Sequence, residues 1–227
     1  MKKTSRPRWI ERERGHSNPS DCLRSPLRSI ADQEDRRHLD RIPNLSKDLE
    51  GLWIFAYGSL IWRPDFEFEK KRIASARGWK RRFWQGSHDH RGTLKKPGRV
   101  VTLIPDDASC CEGVAFLVSH GEAKGILSRL DLREKNGYER QALTLELQDG
   151  GCCRAITYIA PIGNPAWLGA ADLADIAADI LHAKGPSGTN REYLYRLSAA
   201  LFDSKINDPH VSTLEGLVRA SAKERYR

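Results

Sequence analysis

Apolar side chains are scattered and aperiodic up to residue 50 and become organised from Leu52 onward. In the first stretch Trp9, Ile10, Leu23, Leu27 and Ile30 are spread too thinly among Arg, Asp, Ser and Pro to close a core. Residues 1–50 therefore read as a disordered or loosely docked basic extension, and residues 51–227 as the folded domain. Residues 52–57 form a continuous apolar run halted by Gly58, the pattern of a buried strand entering a tight loop. Residues 66–85 predict one or two strands with a bend near Gly78. Residues 99–104 and 113–118 predict two more strands, separated by a turn at Pro105-Asp106-Asp107. Leu143, Leu145 and Leu147 alternate with polar residues as in a half-buried strand, and residues 152–159 form its partner across a turn at Asp149-Gly150-Gly151. The period then changes. Leu173, Ile176, Ala177, Ile180 and Leu181 fall at helical spacing, and Gly185-Pro186 closes that helix. Thr189 and Glu192 fit a capping box opening a helix whose face carries Tyr193, Leu197 and Leu201. A last helix over about residues 210–224 and a short one before Glu134, with Ile126, Leu127 and Leu130 inward, complete the reading. Strands followed by helices predict an α+β fold, with helices on one side of a curved antiparallel sheet or barrel and no second folded domain.

Composition narrows the class. Of 227 residues 39% are hydrophobic, and no apolar run approaches the ~20 residues of a membrane helix. The net charge of +8 is divided between residues 1–50, which hold 12 Lys/Arg against 9 Asp/Glu, and the remainder; neither part is a dense single-sign block. Such a body suits a small anionic ligand as well as it suits a polyanion. Met1 to Arg6 is positively charged, but no apolar segment of a secretory signal follows. The five cysteines, Cys22, Cys110, Cys111, Cys152 and Cys153, are odd in number and include two adjacent pairs, which argues against a secreted disulfide framework. They read as thiols in a reducing compartment, because neighbours on a strand face opposite ways and cannot easily share a metal.

Three stretches could carry chemistry. In Tyr57-Gly58-Ser59-Leu60 the glycine lets the backbone approach a ligand closely, and successive N–H groups form a nest for a carboxylate; taken alone, it is equally an ordinary strand-ending turn. In Arg133-Glu134-Lys135-Asn136-Gly137-Tyr138 the carboxylate between two cations is by itself a surface charge. It becomes an acid/base group only if it points into a cavity, where burial raises its pKa. Residues 79–87 interleave aromatics with cations, as single-strand nucleic-acid surfaces do, and as half-buried strands do. His88 and His90 share a strand face without a third ligand nearby, so no metal is expected. No phosphate loop and no Gly-x-Ser-x-Gly elbow is present.

The order of these stretches is more specific than any one of them. Phe55-Ala56-Tyr57-Gly58-Ser59-Leu60-Ile61-Trp62, Arg82-Phe83-Trp84-Gln85-Gly86-Ser87, Asp89-His90-Arg91-Gly92 and Pro97-Gly98-Arg99-Val100-Val101-Thr102-Leu103 follow one another, then Leu132-Arg133-Glu134-Lys135-Asn136-Gly137-Tyr138, Gly185-Pro186-Ser187-Gly188 and Asn190-Arg191-Glu192-Tyr193-Leu194. In these words the sequence resembles the ChaC-like, glutathione-specific branch of the γ-glutamyl cyclotransferases over about 150 residues. The resemblance implies a small antiparallel or mixed β-barrel with flanking α-helices, and a catalytic domain spanning residues 51–227. It implies a lyase that converts glutathione to 5-oxoproline and Cys-Gly, with Glu134 as catalytic acid/base. It places Phe55, Ala56, Tyr57, Gly58, Ser59, Leu60 and Tyr193 around the substrate, with Ala56 standing where a Gly is more usual. It implies no metal, no organic cofactor, no nucleic-acid or membrane partner, and a cytoplasmic location. A cyclotransferase for other γ-glutamyl amines or dipeptides and, more distantly, a basic nucleic-acid-binding protein are the competing expectations.

Overall fold

The computed structural model describes residues 51–224. The expectations for residues 1–50 lie outside the described residues. Strand β1 (Leu52–Ala56) is followed by β2 (Lys70–Ser87), β3 (Gly98–Val118), α1 (His120–Arg133), β4 (Glu139–Leu147), β5 (Cys152–Ile159) and α2 (Leu173–His182). A small hairpin, β6 (Lys184–Gly185) and β7 (Gly188–Thr189), leads into α3 (Asn190–Asp203) and α4 (Pro209–Glu224). Strands one to five close a barrel in the order β1-β3-β2-β4-β5. All neighbours are antiparallel except β1 and β5, which close the barrel through a short parallel pairing of Trp53 with Ala155 and Ile54 with Ile156. The expected α+β barrel with flanking helices is thus the observed architecture.

The continuous apolar run of β1 has a direct cause. The strand has neighbours on both edges, and Ile54, Phe55 and Ala56 are at most 1% exposed, so it has no wet face to mark with polar residues. Burying Phe55, Phe83, Phe116, Ile54 and Leu103 stabilises the core by about 1.5–3 kcal/mol each. Arg99 ties β3 to α2 through a 2.7 Å ion pair with Asp179.

Two expectations are corrected. The segments 99–104 and 113–118 are one 21-residue strand, and Pro105-Asp106-Asp107 lies inside it. At Pro105 the strand pairs only with β2, opposite Trp79, because its other neighbour β1 is engaged only from Val114 to Val118. A proline without an N–H is tolerated on such an edge. The register shift at Gly78 (φ 78°) lies beside it, and Lys80 holds Asp106 at 2.9 Å. The helix before Glu134 has 14 residues, with Ser119 capping the Glu122 N–H at 3.3 Å. Alternation along the strands also sorts the cysteines. Cys110, Cys111 and Cys153 are exposed, buried and half-buried thiols, and Cys152 lies at the surface. Among the described residues no helix is long and apolar enough to cross a membrane.

Candidate active site

The loop after β1 is built against the inner end of α3. The chain leaves Tyr57 and makes a 3-10 turn over Ser59–Ile61, closed by the Ile61 N–H donating to the Gly58 carbonyl at 3.0 Å. A Cβ at Gly58 would stand 3.0 Å from a Val101 methyl and 3.3 Å from the Tyr193 hydroxyl, so glycine is what allows these segments to close together. Fully buried Arg81 fixes the loop from behind. Its Nε donates to the Tyr57 carbonyl at 2.7 Å, another nitrogen donates to the Glu112 carbonyl, and a third contact pairs with Asp208. The side chains of Phe55, Ala56 and Leu60 are packed in the core, which corrects the expectation that they line the substrate with their side chains. Tyr57 is also buried, its hydroxyl donating to the Tyr158 carbonyl at 2.6 Å.

Glu134 caps the C-terminus of α1, its N–H donating to the Leu130 carbonyl at 2.8 Å. Its side chain is 17% exposed. Burial pushes the Glu134 carboxyl above its ordinary value, the Arg133 guanidinium at 3.3 Å opposes that shift, and the charge of Asp89 adds to it. The segment that follows is held by amides. Buried Gln85 donates to the Asn136 carbonyl and to the Asn164 side chain, both at 3.1 Å, and Asn136 donates to Asp89 at 3.2 Å. Gly137 takes φ 81°, and a Cβ there would strike Asn164 at 2.5 Å, so the turn can only be made by glycine.

Three tyrosines surround the same space. Tyr138 donates to the Val101 carbonyl at 2.6 Å. Tyr193 packs edge-on to Trp62 at 5.5 Å and to Phe83 at 6.0 Å, with the Arg91 guanidinium 5.8 Å from its ring. Burial raises Tyr57, Tyr138 and Tyr193 well above the ordinary tyrosine range, and the Glu134 charge raises all three further. They remain neutral hydroxyls around a carboxylate. Asn190, the first residue of α3, places Tyr193: its side chain accepts from the Arg99 N–H at 2.6 Å and donates to the Arg99 carbonyl at 2.8 Å, extending β3 by a side chain. Thr189 caps α3 by accepting from the Glu192 N–H at 3.2 Å. Glu192 itself pairs with Arg91 at 3.3 Å and Arg196 at 2.8 Å.

The structure therefore brings Glu134, Tyr57, Gly58 and Tyr193 to one place from three distant stretches of chain. Ser59 joins them through Arg133, which donates to its hydroxyl at 2.9 Å. Sequence reasoning did not single out Arg133, Tyr138, Asp89 or Gln85. All four stand in the words that carried the resemblance; only Gln85 is fully buried, and nothing in their immediate neighbours marked them out. The basic-aromatic stretch is used in packing: Arg81 and Phe83 point inward, and Trp84 meets Trp167 edge-on at 6.2 Å. His90 meets the Ser187 hydroxyl at 3.0 Å, and among the described residues no group of three or more His, Cys, Asp or Glu could hold a metal ion.

Comparison with known proteins agrees with the fold. The family model for ChaC-like proteins matches residues 52–221. A protein named glutathione-specific gamma-glutamylcyclotransferase 1 from Homo sapiens is 41% identical over 180 residues, covering 77% of this chain and 81% of its own. Its namesake from Danio rerio is 40% identical over 178 residues, covering 76% and 91%. Among solved structures, a γ-glutamyl cyclotransferase specific to glutathione from yeast superposes with a TM-score of 0.71 at 28% identity, covering 75% of this chain and 96% of that one. A match across the whole barrel and its helices, with relatives aligned over most of their length, leaves one assignment: the chain belongs to the ChaC-like protein family.

Proposed function

We propose that the protein is a glutathione-specific γ-glutamylcyclotransferase in which Glu134 is the acid/base. One observation carries the reading: a largely buried carboxylate of raised pKa shares Arg133 with the Ser59 turn and acts electrostatically on Tyr57, Tyr138 and Tyr193, which burial keeps neutral. The substrate's own α-amine attacks its γ-carbonyl carbon, forming the ring C–N bond of 5-oxoproline. The amide C–N bond to the cysteinyl nitrogen breaks, releasing Cys-Gly. Glu134 takes a proton from the attacking amine and returns one to the departing nitrogen, so no water or cofactor is consumed. The reaction is intramolecular and needs mainly positioning, for which effective molarities reach ~10⁵ M or more. We assign that positioning to the backbone N–H groups of residues 57–60, which hold the α-carboxylate or the developing oxyanion, and to Tyr193, which lines the pocket. Phe55, Ala56 and Leu60 act by shaping the turn from within the core. The activity belongs in the cytoplasm, on a small-molecule substrate.

The test is to incubate the purified protein with glutathione, γ-Glu-Cys and γ-Glu-Ala and measure 5-oxoproline. Release from glutathione alone is the expected result. Equal release from all three would make it a general γ-glutamyl cyclotransferase, and release from none would remove the proposed activity.

A further inference from the structure

Arg133 ends α1, one residue before Glu134, and its guanidinium uses all three nitrogens. Nε lies 3.3 Å from the Glu134 carboxylate. Nη2 donates to the Ser59 hydroxyl at 2.9 Å, and Nη1 donates to the Arg63 carbonyl at 2.7 Å and to Asp65 at 2.9 Å. The loop it grips is itself closed: the Arg63 N–H donates to the Ser59 carbonyl at 3.0 Å, and Arg63 Nε donates to Asp65 at 3.2 Å. Asp65 sits at φ 57°, a left-handed conformation that aspartate adopts more readily than most residues, and both of its carboxylate oxygens are held by arginines.

From these contacts we propose that Arg133 is a positioning residue for the reaction, clamping the Glu134 carboxylate and the Ser59 turn in one fixed register. This rests on the reading of Glu134 as the acid/base. Stabilising the C-terminus of α1 would need only a positive charge, which lysine supplies equally well. Four contacts shared among three nitrogens need the rigid guanidinium fork. The arginine side chain is 22% exposed, so the contacts lie between the core and the surface. They join residues 74 positions apart, linking the two halves of the site directly.

The clamp has an electrostatic consequence. The charged and titratable groups around Glu134 are Arg133 from α1, Asp89 from the loop after β2, Tyr57 after β1, Tyr138 before β4 and Tyr193 from α3. Of these Arg133 alone favours the ionised carboxylate, against burial and Asp89. Removing its charge moves Glu134 further up.

The experiment compares kcat and KM for glutathione across pH in wild type, Arg133→Lys and Arg133→Met. Arg77→Met, on an exposed residue paired with Glu146, is the matched surface control. Arg133→Lys keeps the charge and loses the fork: kcat falls about 10- to 100-fold while the acid limb of the profile stays in place. Arg133→Met loses at least as much kcat, and its acid limb moves up by about one pH unit. Arg77→Met matches wild type. Folded Arg133 variants with wild-type kcat and acid limb overturn the proposal, as does a kcat loss in Arg133→Met with an unmoved limb, which is what a merely structural arginine gives. If Arg133→Met does not fold, the kcat of Arg133→Lys decides. Turnover surviving in Glu134→Gln overturns the catalytic reading instead, so the two failures are distinguishable.

Discussion

A carboxylate at the C-terminus of a 14-residue helix, mostly shielded from water, holds its proton more tightly than one on a surface. Burial supplies most of this effect, and the negative end of the helix dipole acts in the same direction. In the proposed mechanism the ionised form of Glu134 accepts the amine proton. As pH falls, kcat/KM for glutathione therefore declines through a pKa above the 4.5 of an ordinary glutamate, and a profile whose acid limb lies at or below 4.5 would contradict the assignment. Nothing in the Arg133-Glu134-Lys135 word says which way the carboxylate points. That direction is set by Arg133 reaching Ser59 and by Gln85 holding Asn136, contacts made across 74 and 51 residues. Local sequence cannot encode them, which is why Glu134 alone looked like a surface charge.

At the scale of elements, local rules served well where a single element satisfies them. The Thr189 cap is made as expected, and Tyr193, Leu194, Leu197 and Leu201 are buried on one face of α3. They failed where pairing is non-local: Pro105 lies within β3 because β2 runs alongside it for the full length of the hairpin. The seating of α3 on β3 is equally non-local and depends on Asn190, whose side chain makes both bonds to Arg99 and is 0% exposed. Asn190→Ala leaves the Arg99 N–H and carbonyl unpaired in a dry setting, at a cost of about 2–4 kcal/mol. Chemical denaturation should show that loss, together with reduced activity as Tyr193 shifts. A variant with unchanged midpoint and activity would show that the helix is seated by packing alone.

Over the whole molecule, the α+β class was legible from strands preceding helices, whereas closure of the sheet into a barrel was implied only by the resemblance, which was spread across most of the barrel. One feature of the assembled fold was not legible. His210, at the start of α4, accepts from the Phe83 N–H at 3.2 Å. Burial lowers its pKa from 6.5 to about 4, with Arg82 and Arg81 acting in the same direction and Asp208 opposing. The histidine is neutral in the native state, so below pH 6.5 the unfolded chain binds a proton that the folded chain does not. The stability this contributes is complete above pH 6.5 and is lost as pH falls toward about 4. By pH 5 the loss amounts to about 1–2 kcal/mol, seen as a steeper fall in unfolding midpoint for wild type than for His210→Asn. Parallel pH dependences would show that the histidine is not held neutral.

The central claim, that Glu134 moves the proton in an intramolecular cyclisation, is tested most directly by Glu134→Gln. The substitution keeps the shape of the side chain and removes its basicity. With glutathione as substrate, 5-oxoproline release should fall by about 10²- to 10⁴-fold while the unfolding midpoint stays near wild type. Near wild-type release from a folded Glu134→Gln protein would contradict the account.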